Sequence, residues 1–250
     1  LSKLDTSEIT DMSSIFRSSK FNGDISNWNT SNVTDMSYMF YNTIEFNQSV
    51  NFDTSKVNNM ERMFAYSNCF NQELKFDTSK VTNMISMFDY AERFNQPLNW
   101  DTSNVTNMKE MFYNARDFNQ KLNFNTSKVT NMEWMFSDAK AFNQELNFDT
   151  LNVTNMELMF YNAIEFNQPI NFDISNIITM ERMFCDADAF KDKYNSGKAL
   201  PDYTHKIKDW INNNRDRMNE IDLKDKYGDE IDDFFSNIKL KIIEKTKNNL

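Results

Sequence analysis

The residues able to do chemistry are few, and their spacing argues against catalysis. His205 is the single histidine. No serine or cysteine nucleophile lies near it in sequence, so nothing supports a triad, and His205 reads as a surface helix residue. Cys69 and Cys185 fall in different repeats, and a disulfide needs Cα atoms within about 7 Å, so both are expected as free thiols. The sixteen methionines are potential soft-metal ligands, but nearly all occupy two fixed apolar columns, where methionine serves as flexible core filler. Carboxylates also recur in register, at Asp53, Asp77, Asp101, Asp149 and Asp173. Such a row is either a cation ladder or a set of Asp-Thr-Ser turns, each closed by its own carboxylate. Like charges in neighbouring repeats, with Asn125 interrupting the row, favour the turns. No glycine-rich phosphate loop and no zinc spacing occurs. The expectation is a chain that is not an enzyme, with no cofactor and no metal.

What positions these residues is a repeat. Asp-Thr-Ser or a close variant returns at Asp5, Asn29, Asp53, Asp77, Asp101, Asn125, Asp149 and Asp173, a step of 24 each time. Methionine recurs from Met12 to Met180 and again from Met39 to Met183, with Ile15 in the first unit. Phenylalanine follows from Phe16 to Phe184. A further column runs Phe21, Phe46, Phe70, Phe94, Phe118, Phe142, Phe166 and Phe190, and a third aromatic column runs from Trp28 to Phe172. The 23 phenylalanines are almost entirely absorbed by these columns, against 3 glycines and 3 prolines. So few turn-forming residues argue against a sandwich or barrel.

Within a unit, Leu98 and Trp100 alternate with Asn99, a period that predicts a short strand. Met108, Met111, Phe112 and Ala115 have helical spacing, which predicts two turns of α- or 3₁₀-helix. One unit cannot bury both faces alone, whereas stacked units can. The expected fold is an α/β repeat solenoid of about eight coils over residues 1–190, followed by a C-terminal helical cap over 191–250. In the cap, Tyr203, Ile207, Trp210 and Ile211 share one helical face. Ile231, Phe234, Phe235, Ile238 and Ile242 form a second apolar stripe. Two asparagine columns, one from Asn22 to Asn167 and one from Asn59 to Asn155, are expected to bond backbone groups at the corners of stacked coils.

The net charge is −10. From Phe190 onward the sequence is nearly neutral, so residues 1–189 carry essentially all of the acidity. That stretch should repel nucleic acid and anionic lipid. No apolar run reaches the ~18 residues that span a bilayer, so no transmembrane segment is expected here. The chain opens on Leu1, inside a repeat, and reads as a piece of a longer protein.

The phrases FNQPLNWDTSNVTNMKEMF and FNQELNFDTLNVTNMELMF resemble the BspA-like leucine-rich repeats of bacterial surface proteins, in the variant common in mycoplasma lipoproteins. The resemblance covers about residues 1–190. It implies a right-handed leucine-rich-repeat-like solenoid, exposed at the bacterial cell surface or secreted, with a role in adhesion or host-protein binding. It brings no catalytic residues.

Function should lie where the repeat varies. The second variable position of Met-x-x-Met-Phe runs Ser14, Tyr38, Arg62, Ser86, Glu110, Trp134, Leu158, Arg182. Trp134 and Leu158 are neighbours at a nominally exposed position, and Tyr113 and Tyr161 occupy a related column just after the phenylalanine. Together with Tyr38 these are the candidate binding residues, a surface patch suited to a host or matrix protein. A second variable column, Ser49 to Pro169, lies on the presumed strand face. Three alternatives follow from other features. The acidity fits a mimic of nucleic acid acting inside the cell, or the stack is a passive spacer. The row Thr54, Thr78, Thr102, Thr126 and Thr150 would fit a regular ice- or carbohydrate-binding surface.

Overall fold

The structure, a computed structural model, describes residues 4–195. Successive 24-residue coils stack on one another through hydrogen bonds between residues 23 to 25 apart. Coil 5, from Asp101, is representative. Its Asp carboxylate accepts a hydrogen bond from the Ser103 amide at 2.9 Å and closes the Asp-Thr-Ser turn. Asp5, Asp53, Asp77 and Asp173 do the same. These bonds hold the carboxyls below their usual range. The threonine after Asp5, Asp53, Asp77, Asp101 and Asp149 is buried, and its hydroxyl donates to a carbonyl of the next coil, as from Thr102 to Asn125 at 3.0 Å. The threonine row is therefore an internal ladder. Thr54, Thr78, Thr102, Thr126 and Thr150 are each at most 2 % exposed, which removes the reading of them as an ordered binding surface.

The Met-x-x-Met-Phe segment is not a helix. Alternate peptide groups do two different jobs. One set closes tight turns within the coil, from the Met111 amide to the Met108 carbonyl and from the Ala115 amide to the Phe112 carbonyl. The other set crosses to the next coil, from the amides of Met108, Glu110, Phe112 and Asn114 to the carbonyls of Asn131, Glu133, Met135 and Ser137, at 2.8 to 3.0 Å. The second variable position and the second residue after the phenylalanine are left-handed in every coil, as at Glu110 (φ 57°) and Asn114 (φ 52°). A left-handed residue interrupts the i→i−4 ladder of a helix and turns the following peptide outward to its neighbour. Helical spacing of the apolar residues survives, because a succession of three-residue turns also returns side chains to one face.

The expected strand is likewise absent as a strand. In coil 5, Leu122 and Phe124 are buried and Asn123 is exposed, so the period of two is real. Among the described residues no strand pairing joins these stretches between coils. Parallel pairing is limited among the described residues to single bridges at the second asparagine column, running from Asp11–Asp35 to Asn155–Thr179. Side-chain amides do the joining instead. The Asn95 side-chain Oδ1 accepts from the Asn119 backbone amide at 3.0 Å and from the Gln120 side chain at 2.9 Å. Equivalent pairs recur from Asn22 to Asn143. A side chain spans a wider gap than a backbone bond, and the rings beside it are correspondingly spaced. Phe94–Phe118 and Phe118–Phe142 centroids lie 6.0 and 6.1 Å apart, against 5.6 Å for Phe112–Phe136.

The core is one continuous apolar column. Phe40, Phe64, Phe88, Phe112, Phe136 and Phe160 are fully buried, as are the methionines Met36 to Met159. Each of these phenylalanines stacks on the second column within its own coil, as Phe112 does on Phe118 at 4.1 Å. Burying a ring of this size contributes about 1.5–3 kcal/mol, and stacking adds to that. Neither cysteine forms a disulfide among the described residues; Cys185 is buried and Cys69 partly so.

The repeat ends in helix α1, Asp188–Asn195. It starts two residues inside the expected solenoid boundary. Tyr194, 3 % exposed, packs on Phe190 at 4.6 Å, and its hydroxyl donates to the Asn167 carbonyl at 3.3 Å, which ties the helix to the preceding coil. The predicted helices at 202–211 and 231–242, and His205, lie outside the described residues. Among the described residues no helix is long and apolar enough to cross a membrane.

Candidate protein-binding ridge

Beside each core phenylalanine sit three variable positions, two residues before it and one and two residues after it. Six of the nine tyrosines fall there, with Trp134. The stack of coils places these rings in one line. Tyr38 meets Tyr41 at 5.6 Å, Tyr41 meets Tyr66 at 5.5 Å, and Tyr66 stacks flat on Tyr90 at 4.7 Å. Tyr90 then meets Tyr113 edge-on at 5.2 Å, Tyr113 meets Trp134 edge-on at 5.3 Å, and Trp134 meets Tyr161 at 6.4 Å. All seven rings are partly exposed. The result is an aromatic ridge crossing six coils, with edge-to-face and offset contacts of the kind aromatic pairs prefer.

Of the residues singled out from sequence, Tyr38, Tyr113, Trp134 and Tyr161 belong to this ridge. Leu158 does not; it is 7 % exposed. The expectation of an exposed position came from a helical register, and the left-handed turn at Leu158 (φ 53°) replaces that register. Ser86 in the same column is also buried. Tyr41, Tyr66 and Tyr90 were missed because they scatter over two columns. The available signal was the concentration of tyrosine within two residues of the core phenylalanine. On the opposite chain segment, the variable positions Ser49, Glu73, Pro97, Lys121 and Glu145 are exposed above the amide ladder.

A charged cluster underlies the ridge. The Arg62 guanidinium reaches across coil 4 to Glu110 at 3.6 Å, over the small Ser86, whose hydroxyl donates to the same carboxylate at 2.8 Å. Lys109 pairs with Glu133 at 3.0 Å and with Glu110 at 3.6 Å. The Tyr38 hydroxyl donates to Glu61 at 2.7 Å. Burial and that carboxylate push the phenol up. Asp89 is 4 % exposed, and one of its carboxylate oxygens has no hydrogen-bond partner. Burial, aided by the nearby Glu110 charge and opposed by Arg62, raises its pKa from 3.8 to about 7. Burial also raises the Tyr113 phenol, with help from its bond to Tyr90 and from the charges of Asp138 and Asp89. Among the described residues no three His, Cys, Asp or Glu side chains converge as a metal site.

Coils joined by amide and aromatic ladders, with an irregular aromatic seam along one flank, define a tandem-repeat protein. The chain matches the family described as Mycoplasma protein of unknown function, DUF285, over residues 1–99, 49–123, 98–197 and 122–222, and it belongs to that family. No curated protein and no solved structure matches it.

Proposed function

We propose that the chain is a non-catalytic protein-binding repeat of a bacterial surface protein, engaging a host or matrix protein in adhesion. The observation that carries this reading is the aromatic ridge. Tyrosine and tryptophan are the residues most enriched at binding hot spots, because they bury large areas at little conformational cost. A core needs these rings buried, and a solvated flank has no need of seven of them in line. The resemblance to BspA-like leucine-rich repeats supports a right-handed leucine-rich-repeat kinship and exposure at the cell surface or in the secreted fraction.

The test is capture of serum and matrix proteins on immobilised chain, compared with Trp134→Ala and Tyr113→Ala. Each variant should lose about ten-fold in affinity or more for a captured partner while melting as a folded protein. Binding that ignores both substitutions, yet collapses when Asp77, Asp101 and Asp149 are neutralised, would favour the acidic mimic. A folded chain that captures nothing would leave the passive spacer.

A further inference from the structure

The two ends of the ridge differ in their cations. At the start, the Arg17 guanidinium lies 5.2 Å from the centre of Tyr38 and 5.1 Å from Tyr41, and Arg62 lies 6.0 Å from Tyr38. These are cation–π distances. Further along, at Tyr90, Tyr113 and Trp134, no described arginine or lysine sits over a ring. The carboxylates there outnumber the bases. Asp89, Glu110, Glu133 and Asp138 stand in the same three coils, and Lys109 is committed to Glu110 and Glu133. The chain thus shows arginine on tyrosine at one end and, at Tyr90, Tyr113 and Trp134, rings with no described cation over them, the nearby Arg62 and Lys109 being paired with Glu110 and Glu133.

We propose that the stretch Tyr90–Tyr113–Trp134 is a docking track for arginine side chains of a basic polypeptide partner. This rests on the reading of the ridge as a protein-binding surface and names the chemistry of what it binds. An aromatic face carries negative quadrupole density, and tryptophan is the strongest such partner. Guanidinium is planar and weakly hydrated, so it stacks on rings and gives up water more readily than an ammonium. The partly exposed Asp138 and Glu133, the latter shared with Lys109, supply the counter-charge, whereas Asp89 is buried and Glu110 is already paired with Arg62 and Lys109. The excess of acid over base throughout residues 1–189 steers a basic chain toward the stack from a distance.

Fluorescence anisotropy of labelled oligoarginine and oligolysine of equal length, titrated with the whole chain at physiological salt, tests this. Oligoarginine should bind several-fold tighter than oligolysine. Trp134→Leu, which keeps apolar bulk and removes the ring, should weaken oligoarginine about ten-fold, and Trp134→Phe should restore most of the loss. The triple change Asp77→Asn, Asp101→Asn, Asp149→Asn, on a different column, should cost about two-fold at most, since those charges act only through the screened field. Thermal melts of each variant confirm that the comparison is between folded chains. Three results overturn the proposal. One is no oligoarginine binding by the parent chain. Another is equal affinity for both peptides with Trp134→Leu silent. The third is a loss from the Asp column as large as that from Trp134. If any of these occurs while Trp134→Ala still abolishes capture of a matrix protein, only the assignment of arginine falls. If capture also ignores Trp134, the ridge as a binding surface falls with it.

Discussion

Asp89 shows how one residue's surroundings set a property of the whole stack. Its carboxyl has a pKa of about 7 in the folded chain and about 3.8 when unfolded. Above pH 7 it is ionised in both states, and the fold bears the cost of a buried charge. As pH falls from 7 toward 4 the folded state takes up a proton that the unfolded state does not, so stability rises. The turn-closing carboxylates Asp53 and Asp77 have the opposite sign. Their pKa values lie below 3.8 in the fold, so they stabilise it above that pH and cease to do so as pH falls further. Urea melts across pH should therefore show maximal stability at roughly pH 4–6. Asp89→Asn should flatten the upper limb and stabilise the chain at pH 8 by about 1–3 kcal/mol, on the scale of about 1.4 kcal/mol per pKa unit. An unchanged slope between pH 5 and 8 would show that Asp89 is not the group responsible.

At the scale of the element, the tight-turn ladder depends on left-handed residues that are not glycine, sixteen of them from Ser14 to Asp186. Each costs roughly 1 kcal/mol for an ordinary side chain and more for a β-branched one. Ser14 is exposed and has a φ of 59°, so it isolates the backbone effect from packing. Ser14→Gly should hold or raise stability by up to about 1 kcal/mol, and Ser14→Val should lower it by about 1–2 kcal/mol. Equal melts for the two would mean that the turn at Ser14 is not left-handed in solution. The same feature explains what the sequence could not reveal. The Phe and Met columns, the asparagine ladder from Asn22 and the Asp turns were all legible, because each follows from a residue type held at a fixed period. The elements were not, because Met108, Met111, Phe112 and Ala115 have the spacing of a helix and the backbone at Glu110 and Asn114 carries no glycine to betray its handedness. The ridge was half legible. Tyr113 and Trp134 stood out as variation within columns, whereas Tyr66 and Tyr90 join them only when adjacent coils are brought into contact.

At the scale of the whole molecule, every coil makes nearly the same contacts with the next, so the length of the stack is adjustable in whole coils. Excising residues 101–124 brings Trp100 against Asn125, in register with every column. That variant should fold and melt cooperatively with modestly reduced stability, as expected when each repeat contributes its own interface. Excising 101–112 removes half a coil and should leave a chain that aggregates or unfolds, since the Phe, Met and Asn columns then face the wrong partners. Circular dichroism melts of the two deletions decide it. A half-coil deletion as stable as the whole-coil one would contradict the ladder register.

Most of the peptide groups that cross between coils face the same way, and that has an electrical consequence. In coils 1 to 7 three or four amides point toward the following coil and as many carbonyls of that coil point back. Bonds in the reverse sense are fewer, such as those from the Thr106 amide to the Thr82 carbonyl and from the Asp117 amide to the Glu92 carbonyl. Each peptide is a dipole of about 3.5 D, so their sum does not cancel along the axis. The stack is a polar rod, its carbonyls directed toward the Asp5 side and its amides toward the Phe190 side. A cation is favoured at a carbonyl end of such a rod and an anion disfavoured, as at the carbonyl end of a helix. Exchanging the ends of such a rod is not a symmetry operation, so a coil added before Asp5 and a coil added after Phe190 are electrically different additions.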